Sequence, residues 1–135
     1  MSKVTIQKTG HAFEVSEGET VLAAALAAGI TLPYGCRNGA CGACKGKIVD
    51  GQVDYGAHQV YTLTDVEKQQ GFALFCCAKP LSDLVIDARE VGGVGEFQVK
   101  KLPARVQSIE RPAGDVAIIK LKLPANERLQ FLAGQ

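Results

Sequence analysis

The chain of 135 residues carries 15 Lys and Arg against 14 Asp and Glu, a formal net charge of +1, and 47% of it is hydrophobic. That length suits one ordinary domain rather than two full ones, and the near-neutral balance gives no basic surface for nucleic acid. No apolar run is long enough to span a bilayer, so no membrane partner is expected.

Val4 and Ile6 alternate with polar neighbours and predict a strand over residues 3–9. Gly10 and His11 turn the chain into a partner strand at 12–15, an opening hairpin. Glu17-Gly18-Glu19 leads into a helix over about 20–28, where the acidic residues suit the positive end of the helix dipole. Val21, Leu22, Ala25 and Leu26 form its apolar face, and Gly29 is the expected stop. A glycine-rich loop follows, then a short strand at 46–49 turned by Asp50-Gly51, then an irregular segment over 52–63. Thr64-Asp65-Val66-Glu67 has the spacing of a capping box and starts a short helix ended by Gly71. Residues 72–76 and 83–88 read as apolar strands. One long helix on a mixed sheet of four or five strands is an α+β layer arrangement.

Beyond residue 90 the pattern changes. The glycines of Val91-Gly92-Gly93-Val94-Gly95-Glu96 have no strand–glycine–helix setting and read as linker rather than phosphate loop. Residues 104–109 and 116–123 read as two more strands, a pair that cannot bury its apolar residues alone. The stop at Gln135 reads as unfinished.

The chemistry lies in the cysteines. Five of them, an odd number, argue for metal ligation over a disulfide framework. With a start that has neither the basic region nor the apolar core of a secretion signal, they predict a cytoplasmic protein. Cys36, Cys41 and Cys44 stand as C-x4-C-x2-C, and the adjacent pair Cys76-Cys77 lies downstream. That spacing with a distant fourth cysteine is the plant-type [2Fe-2S] pattern, in which four thiolates hold two irons. Gly35, Gly39 and Gly42 let the backbone come close to the sulfurs, while Arg37 and Lys45 place positive charge nearby. Neighbours on a strand face opposite ways, so only one of Cys76 and Cys77 completes the site, and the residues leave open which. Four thiolates also suit zinc, although structural zinc usually pairs two C-x2-C knuckles and the second would here be the adjacent Cys76-Cys77. Tyr34 reads as packing at the loop rim, and His11 and His58 as turn and surface residues. Residues 1–90 hold 8 Lys and Arg against 10 Asp and Glu, so the cysteine-bearing part has little charge to steer a free partner, which fits a tethered one.

The stretch Leu32-Pro33-Tyr34-Gly35-Cys36-Arg37-Asn38-Gly39-Ala40-Cys41-Gly42-Ala43-Cys44-Lys45-Gly46 resembles the plant-type ferredoxin domain, and the resemblance runs from about Lys3 to Glu90. It implies the β-grasp fold. More narrowly the chain resembles the N-terminal part of flavin-dependent NAD(P)H reductases of the CDP-6-deoxyglucoseen reductase and oxygenase reductase kind. In that family a ligand cysteine closes an apolar strand ahead of a proline, and Leu74-Phe75-Cys76-Cys77-Ala78-Lys79-Pro80 then implies Cys76 as fourth ligand. The implied organisation is a ferredoxin domain over 1–92, a linker over 93–102, and over 103–135 the truncated start of an FAD-binding β-barrel. The family's flavin motif would lie beyond Gln135, so FAD and NAD(P)H are not expected to bind this chain. The implied function is one-electron transfer through a [2Fe-2S] cluster. The implied partners are a flavoprotein donor, tethered or separate, and an acceptor enzyme such as a dehydratase or an oxygenase. The alternatives are an N-terminal fragment of an NAD(P)H-dependent oxidoreductase, active only with flavin and nicotinamide domains, and a zinc-bound interaction module.

Overall fold

The computed structural model describes residues 1–92 and 100–129 and divides into two units, Met1–Gln98 and Val99–Gln135. In the first, β1 (Ser2–Ile6) pairs antiparallel with β2 (Ala12–Val15), the expected hairpin. Val4, Ile6, Phe13 and Val15 alternate inward, so each strand buries one face. Helix α1 (Val21–Ala27) lays Val21, Leu22, Ala24, Ala25 and Leu26 into the core, and full burial of side chains such as Val21 and Leu22 contributes about 1.5–3 kcal/mol each. The helix starts where the sequence predicts, but what caps it differs. Glu17 and Glu19 lie ahead of its first turn, which holds no acidic residue; the Thr20 hydroxyl caps it, accepting from the Ala23 N–H at 3.3 Å. Gly29, with φ of 77°, ends it as predicted.

After the cysteine loop come β3 (Lys45–Asp50), β4 (Val53–Asp54), α2 (Asp65–Gln69), β5 (Phe72–Leu74), β6 (Lys79–Pro80) and β7 (Leu84–Asp87). The main sheet has five strands in the order β2-β1-β7-β3-β5. β1 and β7 run parallel, with Val4 opposite Leu84 and Ile6 opposite Ile86, and the other pairs are antiparallel. This mixed sheet with the seven-residue α1 packed on it is the α+β, β-grasp arrangement. α2 carries the full capping box: the Thr64 hydroxyl accepts from the Glu67 N–H, and the Glu67 carboxylate accepts from the Thr64 N–H at 2.9 Å.

Three strands depart from the sequence reading. β4 and β6, two residues each, pair with one another within stretches without apolar alternation. The strand expected over 72–76 ends at Leu74, and residues 75–77 form a turn closed by Cys77 N–H to Leu74 C=O at 2.9 Å and Ala78 N–H to the same oxygen at 2.8 Å. Cys76 and Cys77 are therefore not strand neighbours on opposite faces.

In the second unit β8 (Arg105–Ala113) and β9 (Val116–Lys122) form a two-stranded hairpin turned at Gly114-Asp115. Val106, Ile109, Ile119 and Leu121 are exposed, as a lone hairpin requires. The linker expected over 93–102 falls mainly on residues 93–99, and the stretch 130–135 closes the chain; both lie outside the described residues. Among the described residues no helix is long and apolar enough to cross a membrane.

Candidate iron-sulfur site

Sheet register brings the two cysteine segments together. β3 begins one residue after Cys44, and Lys45 pairs with Leu74 at the end of β5. The pairing continues past both strands, with the Phe75 N–H donating to the Cys44 carbonyl at 3.1 Å, so Cys76 follows directly beside Cys44. The turn is held from its other side by α1. The first N–H groups of a helix have no partner within it. Here Leu22 N–H donates to the Phe75 carbonyl at 2.9 Å and Val21 N–H to the Ala78 carbonyl at 3.0 Å. The Phe75 ring lies against Gly46, where any Cβ would run into it.

The cysteine loop turns its backbone toward its sulfurs. Cys36 Sγ accepts from the N–H groups of Cys41 at 3.3 Å, Ala40 at 3.4 Å and Asn38 at 3.5 Å. Cys41 Sγ accepts from Cys36 N–H and Ala43 N–H, both at 3.4 Å. Gly39 makes the loop possible at its crown. Its φ is 76°, and a Cβ there would stand 2.8 Å from the His58 backbone and 2.9 Å from Cys77 Sγ.

A second wall comes from the irregular segment after β4. Gln59 N–H donates to the Gly39 carbonyl at 3.1 Å, and the buried Thr62 hydroxyl donates to the Ala40 carbonyl at 2.7 Å. Thr62 has no signal in the sequence, and His58 is not merely a surface residue, because its backbone braces Gly39.

The N–H groups of Asn38, Cys41 and Ala40 lower the Cys36 thiol to about 6, so it favours the thiolate, the form that binds metal. Burial pushes Cys44, 5% exposed, up to about 12, and does the same to Cys77. A bound metal ion overrides such a shift, since its charge deprotonates the thiol it binds. Cys36 and Cys41 are exposed while Cys76 and Cys77 are half-buried, so one side of the site reaches the surface. Cys36 and Cys41 are linked by reciprocal N–H to sulfur bonds, and the Phe75 N–H bond to the Cys44 carbonyl brings Cys76 beside Cys44. Among the described residues no three His, Cys, Asp or Glu side chains gather to hold a single ion. A binuclear cluster asks only two thiolates of each iron, so the donor set fits it.

The two expected cations differ. Arg37, at a left-handed φ of 61°, places its guanidinium 5.2 Å from the centre of the Tyr34 ring. Lys45 is paired with Glu67 at 2.6 Å, which lowers that carboxyl to about 2, so its charge is largely neutralised. Tyr34 packs against the core edge, as predicted.

Residues 4–81 match the 2Fe-2S iron-sulfur cluster binding domain. The chain belongs to that family. It is 36% identical over 132 residues, 98% of its length, to the CDP-6-deoxy-L-threo-D-glycero-4-hexulose-3-dehydrase reductase of Yersinia pseudotuberculosis, and spans 40% of that protein. It is 48% identical over 85 residues to the reductase component DmpP of phenol 2-monooxygenase from Pseudomonas sp. CF600, covering 63% of this chain and 24% of that one. The crystal structure of the Amycolatopsis cytochrome P450 reductase GcoB superposes with a TM-score of 0.82 at 33% identity, over 100% of this chain and 39% of that one. The family resemblance read from the cysteine loop is thus borne out, and with it the cofactor class: the domain is one that binds a [2Fe-2S] cluster.

Proposed function

We propose that Cys36, Cys41, Cys44 and Cys76 hold the [2Fe-2S] cluster and that the chain is the ferredoxin part of an NAD(P)H–flavin-linked reductase. The observation that carries the assignment is the register Lys45 to Leu74, which sets Cys76 beside Cys44 while five N–H contacts gather on the sulfurs of Cys36 and Cys41. When bound, the cluster supplies one-electron chemistry, accepting an electron from a flavin and passing it on. The chain's own residues hold the sulfurs, spread negative charge over backbone N–H groups and leave the Cys36–Cys41 side open to a partner.

In this reading the first unit is the relay, residues 93–102 are a linker, and the hairpin of the second unit is the opening of a flavin-binding barrel. The donor is a flavoprotein and the acceptor an oxygenase or a sugar dehydratase; the names of the matched reductases, one of a hexulose dehydrase and one of a monooxygenase, support the acceptor class. Five free thiols suit a cytoplasmic setting.

The test is a visible spectrum of protein purified without added metal, with iron and acid-labile sulfide assays. About two irons and two sulfides per chain, bleached by dithionite, support the reading; a colourless protein with one zinc refutes it. Cys76→Ser loses or alters the cluster and Cys77→Ser retains it; the reverse reassigns the fourth ligand. Addition of NADH or NADPH separates relay from whole reductase: bleaching without added flavoprotein would show that the chain itself takes electrons from the nucleotide.

A further inference from the structure

The Cys76-Cys77 turn places a fifth sulfur at the site, with Cys76 Sγ and Cys77 Sγ 3.5 Å apart. On a strand the two side chains would have diverged. The turn after Leu74 instead brings them to one side. Cys77 is also confined from two directions. Its sulfur packs over the crown of the cysteine loop, 2.9 Å from where a Gly39 Cβ would stand. Its own Cβ lies 3.3 Å, and its carbonyl oxygen 2.5 Å, from where a Gly56 Cβ would stand. Two glycines thus leave just enough room for this side chain in this place.

The sulfurs of the site differ in what they meet. Those of Cys36 and Cys41 receive backbone N–H groups. That of Cys76 meets a side chain, the Cys77 thiol. An S–H is a weak donor and an anionic ligand sulfur a good acceptor.

We propose that Cys77 is not a ligand but a hydrogen-bond donor to the Cys76 sulfur, and that it raises the reduction potential of the bound cluster. The inference rests on the assignment of Cys76 as fourth ligand. An electron added to the cluster increases the negative charge on its sulfurs. A donor on one of them therefore stabilises the reduced form more than the oxidised form. Cys77 does this as a neutral group, without adding charge to the exposed side where a partner docks.

The experiment is a dye-mediated potentiometric titration of the cluster-loaded chain, with iron and sulfide counts and the electron paramagnetic resonance spectrum of the reduced state. Cys77→Ala and Cys77→Val, neither of which can donate, keep the cluster but are reduced less favourably, by up to about tenfold, which for a one-electron couple is about 59 mV toward negative potential. Cys77→Ser keeps a donor and stays nearer the wild type. An unchanged midpoint in Cys77→Ala and Cys77→Val overturns the inference. So does an equal shift in all three variants, which would make packing the cause. Loss of the cluster in Cys77→Ala while Cys76→Ser retains it would make Cys77 the ligand. A wild-type chain that binds no cluster fails at the earlier step and refutes the functional reading itself.

Discussion

Replacing Gly39 by Ala separates two costs that glycine avoids at the crown of the cysteine loop. The first is conformational: an L-residue held at a φ of 76° costs about 1–2 kcal/mol. The second is steric, because the new Cβ would stand 2.8 Å from His58 Cα and Cβ and 2.9 Å from Cys77 Sγ. Two of these three are parts of a neighbouring segment tied to the loop by the Gln59 N–H to Gly39 carbonyl bond, so relief requires moving that wall. Overpacking of this kind costs about 1–3 kcal/mol. Gly18 is the internal control. Its φ is 80°, yet nothing lies within 4 Å of a Cβ built there, so Gly18→Ala carries the conformational cost alone. For a unit the size of Met1–Gln98, 1 kcal/mol moves Tm by about 4–8 °C. In cluster-loaded protein followed by circular dichroism, Gly18→Ala lowers Tm by roughly that amount per kcal/mol. Gly39→Ala lowers it by a further 8–16 °C or so, for a steric cost of about 2 kcal/mol. Equal losses in the two variants would refute the close approach of Gly39 to His58 and Cys77.

Thr62→Val removes the hydroxyl that satisfies the Ala40 carbonyl at 2.7 Å; it destabilises by about 1–3 kcal/mol, read as a lower urea midpoint and faster cluster loss, and an unchanged midpoint would show that the bond contributes nothing. Glu67 has a folded-state carboxyl lowered to about 2, so its ion pair with Lys45 and its cap contribute above the ordinary 4.5 and are lost as pH falls toward 2. The stability gap between wild type and Glu67→Gln therefore closes over that window, and a gap independent of pH would contradict the assignment. Arg37→Gln takes a positive charge from the loop beside Cys36 and shifts the cluster midpoint to more negative potential; no shift would mean that the guanidinium, stacked on Tyr34, is too well screened to matter.

Much of this molecule was legible from local pattern. Alternation marked β1 and β2, the threonine-to-glutamate spacing marked the cap of α2, and the C-x4-C-x2-C spacing marked three sulfurs in one loop. Each depends on residues a few positions apart, whose geometry the backbone itself dictates. The start of α1 falls where the pattern predicts, but the Thr20 hydroxyl at the capping position, rather than the acidic residues ahead of it, makes that start.

What required the tertiary structure was every relation between distant segments. Sequence spacing alone leaves the distance from Cys44 to Cys76 undefined; the antiparallel register of Lys45 with Leu74 makes them neighbours. Local pattern also extends the apolar run through Cys76, whereas the strand ends at Leu74, where the chain turns: the Leu74 carbonyl accepts from the Cys77 and Ala78 N–H groups and the Phe75 carbonyl from the Leu22 N–H of α1. That one departure turns two cysteines expected to diverge into a pair 3.5 Å apart. In the sequence Thr62 carries no signal and Glu67 only a local cap. Folding over long sequence separations then gave the first a loop carbonyl and the second the Lys45 charge. Periodicity and spacing determine what a segment tends to be; partners depend on which segments meet, and that follows from the burial and hydrogen bonding of the whole sheet.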